Sequence, residues 1–399
     1  MIVKQALFEL LKNFVRMRLL ILLLSLSIIH FGCRRGGNES LANEYHFELV
    51  DTLQINLMYE FGFVTKSMVD GYMLVYTYHD GVFHLINSTG KVQKSIDRKG
   101  EGPREYNRNL PFATIFNKMI VFMDTRKLIF YDLNGEWVKS VSYHNLGSLG
   151  QIGIPESDLL FIDSGRFVVP NQKIVDLPNV SGHLTMLDTI PLWIEYKFSD
   201  ITGKYEKANV GFMDTTGILY SSLKYLNYKS MMWFQDGFLC QIPQLTDIIY
   251  RYEVGRSLYP LDKVSLKIPN FKDPIGLEVE ALTVDNYQFF NKSAAVNSFI
   301  NYVVPMENGS FFAIYSTGLS EFEYDKLIED AKPPEGEFYG YYFDNILSEG
   351  HRVHLPQNGV HPSFWKKVTY LGQGRFLFVY DNEIERDYYI GGVFGLKKM

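Results

Sequence analysis

The sequence predicts an all-β protein, a six-bladed β-propeller carrying hairpin and short helical insertions. Three observations lead there. Of 399 residues, 15% are aromatic, with 30 Phe and 27 Tyr, and such side chains favour strands. A strand pattern repeats: Tyr72–Ile96 (YMLVYTYHDGVFHLINSTGKVQKSI) and Ile120–Val141 (IVFMDTRKLIFYDLNGEWVKSV) both read apolar strand, polar turn, aromatic strand, Gly-containing turn, final strand. Weaker copies open at Phe167, Phe238, Phe311 and Phe376. With Met73 and Ile120 as equivalent points, the gaps are 47, 47, 71, 73 and 65 residues. A four-stranded meander returning every 40–50 residues or so is the mark of a propeller blade, and longer gaps imply insertions.

Residues 1–33 stand apart from this pattern. Leu19–Phe31 (LLILLLSLSIIHF) is a 13-residue apolar run behind Met17-Arg18. A membrane-spanning helix needs about 20 such residues, so the run reads as the apolar core of an export signal. MRLLILLLSLSIIHFGC, starting at Met17, is by itself a complete signal. Gly32-Cys33 resembles a bacterial lipobox, which makes Cys33 the expected lipidation site and residues 34–44 a flexible tether. Acyl chains would anchor the chain to a membrane without spanning it. Arg34 and Arg35 follow the cysteine where an acidic run would signal surface export, so the expected location is the cell envelope, facing the periplasm.

The propeller is expected over 45–399. Cys240 is the other cysteine, so no internal disulfide holds the mature chain and packing must do so. Loss of residues 1–32 removes four basic and one acidic side chain and takes the net charge from −6 to −9. An acidic chain without a basic stripe argues against a nucleic-acid partner. Tyr45–Leu57 alternates like a strand and is placed to close the ring against the last blade.

Between the first two copies lies Arg98–Tyr106, RKGEGPREY. Val92–Ile96 should be an outermost strand and Pro111–Phe116 the next innermost one. The loop must therefore travel inward over the face that carries the HDG and TRK turns, using glycine for close approach and proline to fix its course. Glu101, Arg104, Glu105 and Tyr106, with His79 and Arg126 from those turns, are the candidate binding residues, because aromatic side chains and arginine dominate recognition surfaces.

At Gly100-Glu101-Gly102-Pro103-Arg104-Glu105-Tyr106 the chain resembles the uncharacterised six-bladed β-propeller lipoproteins of Gram-negative envelopes, themselves similar to NHL and TolB-type propellers. Their loop reads G-x-G-P-G-E-[YF]; this chain departs from it at Arg104. The resemblance implies fold and location, and no catalytic residue.

Farther on, Asp176–Met232 reads as an insertion in which WIEYKFSDITGKYE forms an extra hairpin. Asp273–Tyr302 reads as a partly helical insertion. Ser320 is placed to cap a helix over SEFEYDKLIEDA. HRVHLPQNGVH gathers His351, His354 and His361. Imidazole is a common metal ligand, although the spacing matches no standard structural zinc site. Aspartates such as Asp80, Asp124, Asp132 and Asp163 sit in turns, which they cap readily. No P-loop, nucleophile elbow, H-E-x-x-H or C-x-x-C motif occurs.

These features favour a monomeric, non-catalytic envelope module that binds a glycan, a peptide or an envelope protein and needs no cofactor. The alternative is a propeller hydrolase or lyase using histidines and carboxylates at the channel mouth, with a divalent cation.

Overall fold

The computed structural model describes residues 45–107, 112–143, 159–170, 191–212, 214, 230–275, 292, 295–332, 336–356, 367–380 and 387–399. The signal region, Cys33 and the tether lie outside these residues, as does His361.

Twenty-four strands form the described chain. The first sheet holds β2 (Phe61–Phe63), β3 (Tyr72–Thr77), β4 (Phe83–Asn87) and β5 (Val92–Ile96). The second holds β6 (Phe112–Phe116), β7 (Met119–Met123), β8 (Lys127–Asp132) and β9 (Trp137–Ser142). The third holds β10 (Leu160–Asp163), β11 (Arg166–Pro170), β12 (Trp193–Ser199) and β13 (Lys204–Gly211). The fourth holds β14 (Ser230–Gln235), β15 (Phe238–Pro243), β16 (Ile248–Tyr252) and β17 (Asp262–Ser265). In each, chain order is sheet order, as in a meander.

The remaining strands make one eight-stranded sheet. One run of it is β18 (Phe299–Pro305), β19 (Phe311–Ser316), β20 (Phe338–Phe343) and β21 (His351–His354). The other is β22 (Val368–Gly372), β23 (Arg375–Val379), β24 (Tyr389–Lys398) and β1 (Tyr45–Ile55). Two parallel pairs, Tyr45 with Val353 and His46 with His354, join the runs. The whole is an all-β propeller arrangement.

The repeat seen in the sequence has a structural meaning. Met73, Ile120, Phe167, Phe238, Phe311 and Phe376 each stand first or second in β3, β7, β11, β15, β19 and β23. Each of these is the second strand of its run. In the first two copies a side chain builds the turn before the final strand: Asn87 Oδ1 accepts from the backbone N–H of Thr89 and Lys91, and Asp132 Oδ1 from that of Asn134 and Glu136. These are the Asx turns that such residues favour.

Apolar clusters fill the spaces between consecutive runs. Phe83 and Leu85 meet Ile120 and Phe122; Phe130 meets Phe167; Trp193 meets Leu239; Ile242 meets Phe311; Phe312 meets Phe376; Val379 meets Met73. The last of these returns to the first sheet. β1 pairs antiparallel with β24 from Tyr45 opposite Lys398 to Ile55 opposite Tyr389, with a bulge between Leu49 and Asp51.

Trp193–Ser199 and Lys204–Gly211 are not an extra hairpin but the outer half of the third sheet, with β12 bonded to β11 along its length. Ser320 does cap a helix, α1 (Glu321–Glu329), through a capping box with Glu323.

Candidate functional site

We call the upper end of each sheet the end at which its first strand begins. Antiparallel order then puts the turns between second and third strands, and the connections between sheets, at that end.

Arg98–Tyr106 does not cross the upper end. It wedges between the first and second sheets. Its neck closes by Tyr106 N–H to Arg98 O (2.8 Å) and Gly100 N–H to Tyr106 O (3.0 Å). Lys127, at the upper end of β8, donates to Gly102 O; Tyr131, near its lower end, donates to Arg104 O; and Ser140 Oγ donates to Pro103 O. Glu105 turns inward and accepts from Gly102 N–H at 3.0 Å. A Cβ on Gly100, whose φ is 154°, would lie 2.0 Å from that carboxylate, so only glycine fits there. Arg104 adopts no positive φ, so its departure from glycine costs no backbone strain.

Of the candidate residues, Tyr106 is fully buried. Its ring packs 5.2 Å from Phe83 and 5.0 Å from Phe122, and its hydroxyl donates to Ile96 O at 2.7 Å. It is a core residue and offers nothing to a ligand. Arg104 lies 4.6 Å over the Trp137 ring at the start of β9, the lower end. It is therefore separated from His79 and Arg126 by the height of a sheet. Glu101, His79 and Arg126 are exposed; Glu105 is committed to the loop. The predicted face does not assemble as a unit.

A different group gathers at the upper end, where the run beginning with β22 meets the first sheet. His79 packs against Tyr59, ring centres 4.5 Å apart and planes inclined by 33°, and Tyr59 is 38% exposed. Beside it, Glu60 Oε1 lies 3.9 Å from the ammonium of Lys367, which is only 1% exposed. That ammonium sits 4.7 Å from the Phe61 ring centre and 4.8 Å from that of Tyr389. A cation over two aromatic faces, shielded from water, gains about 2 kcal/mol or more, which offsets part of its desolvation. Tyr78 is held there by its N–H to Glu60 O (2.9 Å). Burial, then Glu60, raises its hydroxyl pKa well above the usual range. Gly62 makes room for it, since a Cβ there would meet the Tyr78 hydroxyl at 2.1 Å. The cluster thus presents an aromatic pair and a 57% exposed carboxylate above a buried ammonium. Sequence reasoning found His79 but missed Tyr59, Glu60 and Lys367, because nothing in KKVTY distinguishes a buried lysine from a solvated one.

The remaining predicted groups are dispersed. His351 and His354 are three residues apart on β21 and so point to opposite faces. His351 Nε2 contacts Asp344 Oδ2 at 3.2 Å. Among the described residues, no three His, Cys, Asp or Glu side chains stand close enough to share a metal ion. Cys240 is buried and unpaired, its thiol pKa pushed up to about 12, mainly by burial, so it is unreactive. Asp80 and Asp163 accept bonds within their own turns.

Four-stranded antiparallel runs meeting face to face around a circuit define the class: a β-propeller. No family model matches the sequence, and no curated protein matches it. Solved structures do. A member of the DUF4221 family from Bacteroides vulgatus superposes with a TM-score of 0.57 at 10% identity, covering 90% of this chain and 99% of that one. A protein from Bacteroides fragilis, described as a candidate exported protein, gives 0.51 at 13% identity, covering 88% and 95%. Streptogramin B lyase superposes with a TM-score of 0.38 at 12% identity, covering 89% of this chain and 98% of that one. At these identities the likeness is one of fold.

Proposed function

We propose that this chain is an exported, lipid-anchored propeller of six blades that serves the cell envelope as a binding module, meeting a glycan, peptide or protein partner at the upper end. The blade count is supported by the two antiparallel four-strand runs within the eight-stranded sheet, which touch through only two pairs. It is supported also by the apolar clusters that link each run to the next and the last to the first. Lipid anchoring rests on Gly32-Cys33 behind an apolar run of signal length.

The observation that carries the binding role is the packed Tyr59–His79 ring pair beside exposed Glu60. Exposed aromatic rings lose little conformational freedom on contact and pair well with sugar faces, peptide side chains or apolar protein surfaces. The carboxylate adds an acceptor for hydroxyls or cations. The test is a glycan and peptide array probed with the purified protein and with Tyr59→Ala and His79→Ala. The proposal expects a defined set of binders, each weakened about tenfold or more by either substitution. Turnover of a bound glycan, or binders indifferent to both substitutions, would sink it.

A further inference from the structure

At the lower end of the same seam lies a groove of about 430 Å³, within the size range of small-molecule sites. Its floor is apolar: Leu53, Met68, Leu371 and Val393, all belonging to or packed against the cluster between the last run and the first sheet. Arg375 and Lys397 stand at its rim.

The backbone keeps the groove open. The bulge between Leu49 and Asp51 displaces Val50 at its edge, and bulges often re-aim strands beside sites. Gly395 lies opposite Arg375, where a Cβ would already touch Val50 Cγ1 at 3.4 Å. The β22–β23 turn is fixed from both sides, by Gln373 N–H to Glu307 Oε1 (2.9 Å) and Leu396 N–H to Gly374 O (2.8 Å).

The charges are distinctive. Arg375 and Lys397 are both exposed, and neither has an ion-pair partner among the described residues. The lining carboxylate, Asp51, accepts from Thr52 N–H at 2.7 Å. Two cations without an ion-pair partner among the described residues, above an apolar floor on a protein of net charge −6, are complementary to an anionic head on an apolar body. Arginine's planar fork matches a carboxylate in particular.

We infer that this groove binds a small amphiphilic monocarboxylate, with its apolar part on Leu53, Met68, Leu371 and Val393 and its carboxylate on Arg375 and Lys397. The site is separate from the upper-end cluster and does not depend on it.

Titration calorimetry of the purified protein with octanoate tests this, with 1-octanol lacking the charge and acetate lacking the body. One saturable site for octanoate is expected, with both controls at least tenfold weaker. Removing a charge-assisted hydrogen bond weakens binding by about tenfold or more, so the double substitution Arg375→Gln/Lys397→Gln should do so at an unchanged melting temperature. Gly395→Leu should fill the groove and abolish binding. The inference is overturned if octanoate shows no saturable binding, if 1-octanol or acetate binds as tightly, or if the exposed double substitution leaves octanoate affinity intact.

Discussion

Tyr45 stands opposite Lys398, so the first described residue and the next-to-last residue of the chain are neighbours in one antiparallel ladder. The ladder continues to Ile55 opposite Tyr389. A strand from one end of the chain thereby completes a sheet begun at the other. Ile55 is fully buried in the cluster against Met73 and Leu377. Ile55→Ala should cost about 2–5 kcal/mol, read as a lower urea midpoint with unchanged slope. A loss under 0.5 kcal/mol would mean that closure contributes little.

Tyr106 makes a second stability prediction. Tyr106→Phe keeps the ring but leaves buried Ile96 O without its donor, costing about 1–3 kcal/mol. Tyr106→Ala also removes the wedge between Phe83 and Phe122 and should cost about 3–5 kcal/mol. Equal effects from both would place the whole contribution in the hydroxyl.

His84 gives a pH dependence. Burial, the larger influence, pushes its pKa below 6.5 against the opposing pull of Asp80. Its Nδ1 pairs with Ser95 Oγ at 2.8 Å. Below 6.5 the unfolded chain takes up the proton first, so the folded state loses stability as pH falls towards the lowered value. Each pH unit in that window costs up to about 1.4 kcal/mol. Above 6.5 the term vanishes. Denaturant titrations across that range should show a drop in wild type that His84→Gln lessens.

Lys367 supplies the last. Lys367→Met retains an apolar stem between Phe61 and Tyr389 without a buried charge, and replacing a buried ion in this way is often neutral. Its melting point should stay close to wild type. Lys367→Glu sets a second carboxylate beside Glu60 and should destabilise by more than about 2 kcal/mol. Measured by thermal denaturation, a harmless Lys367→Glu would contradict the buried setting.

Much of the fold was legible because second strands follow glycine-containing turns such as DSGR, ENGS and GQGR, which keep one register through the chain. Val92–Ile96 matches β5 residue for residue. The outer half of the third sheet was missed because a long segment separates Val169 from Trp193, and distance along the chain concealed the ladder between them. The site was less legible. Topology puts the turns that carry His79 and Arg126 at one end, but a loop's path depends on which side chains bury it. Tyr106, read as a surface aromatic, anchors the loop inward instead.

Hydrogen exchange at β1 tests ring closure most directly. The β1 amides donating to β24 should exchange as slowly as those of β23, opening only with the whole propeller. Rapid exchange throughout 45–55 while β23 stays protected would contradict it.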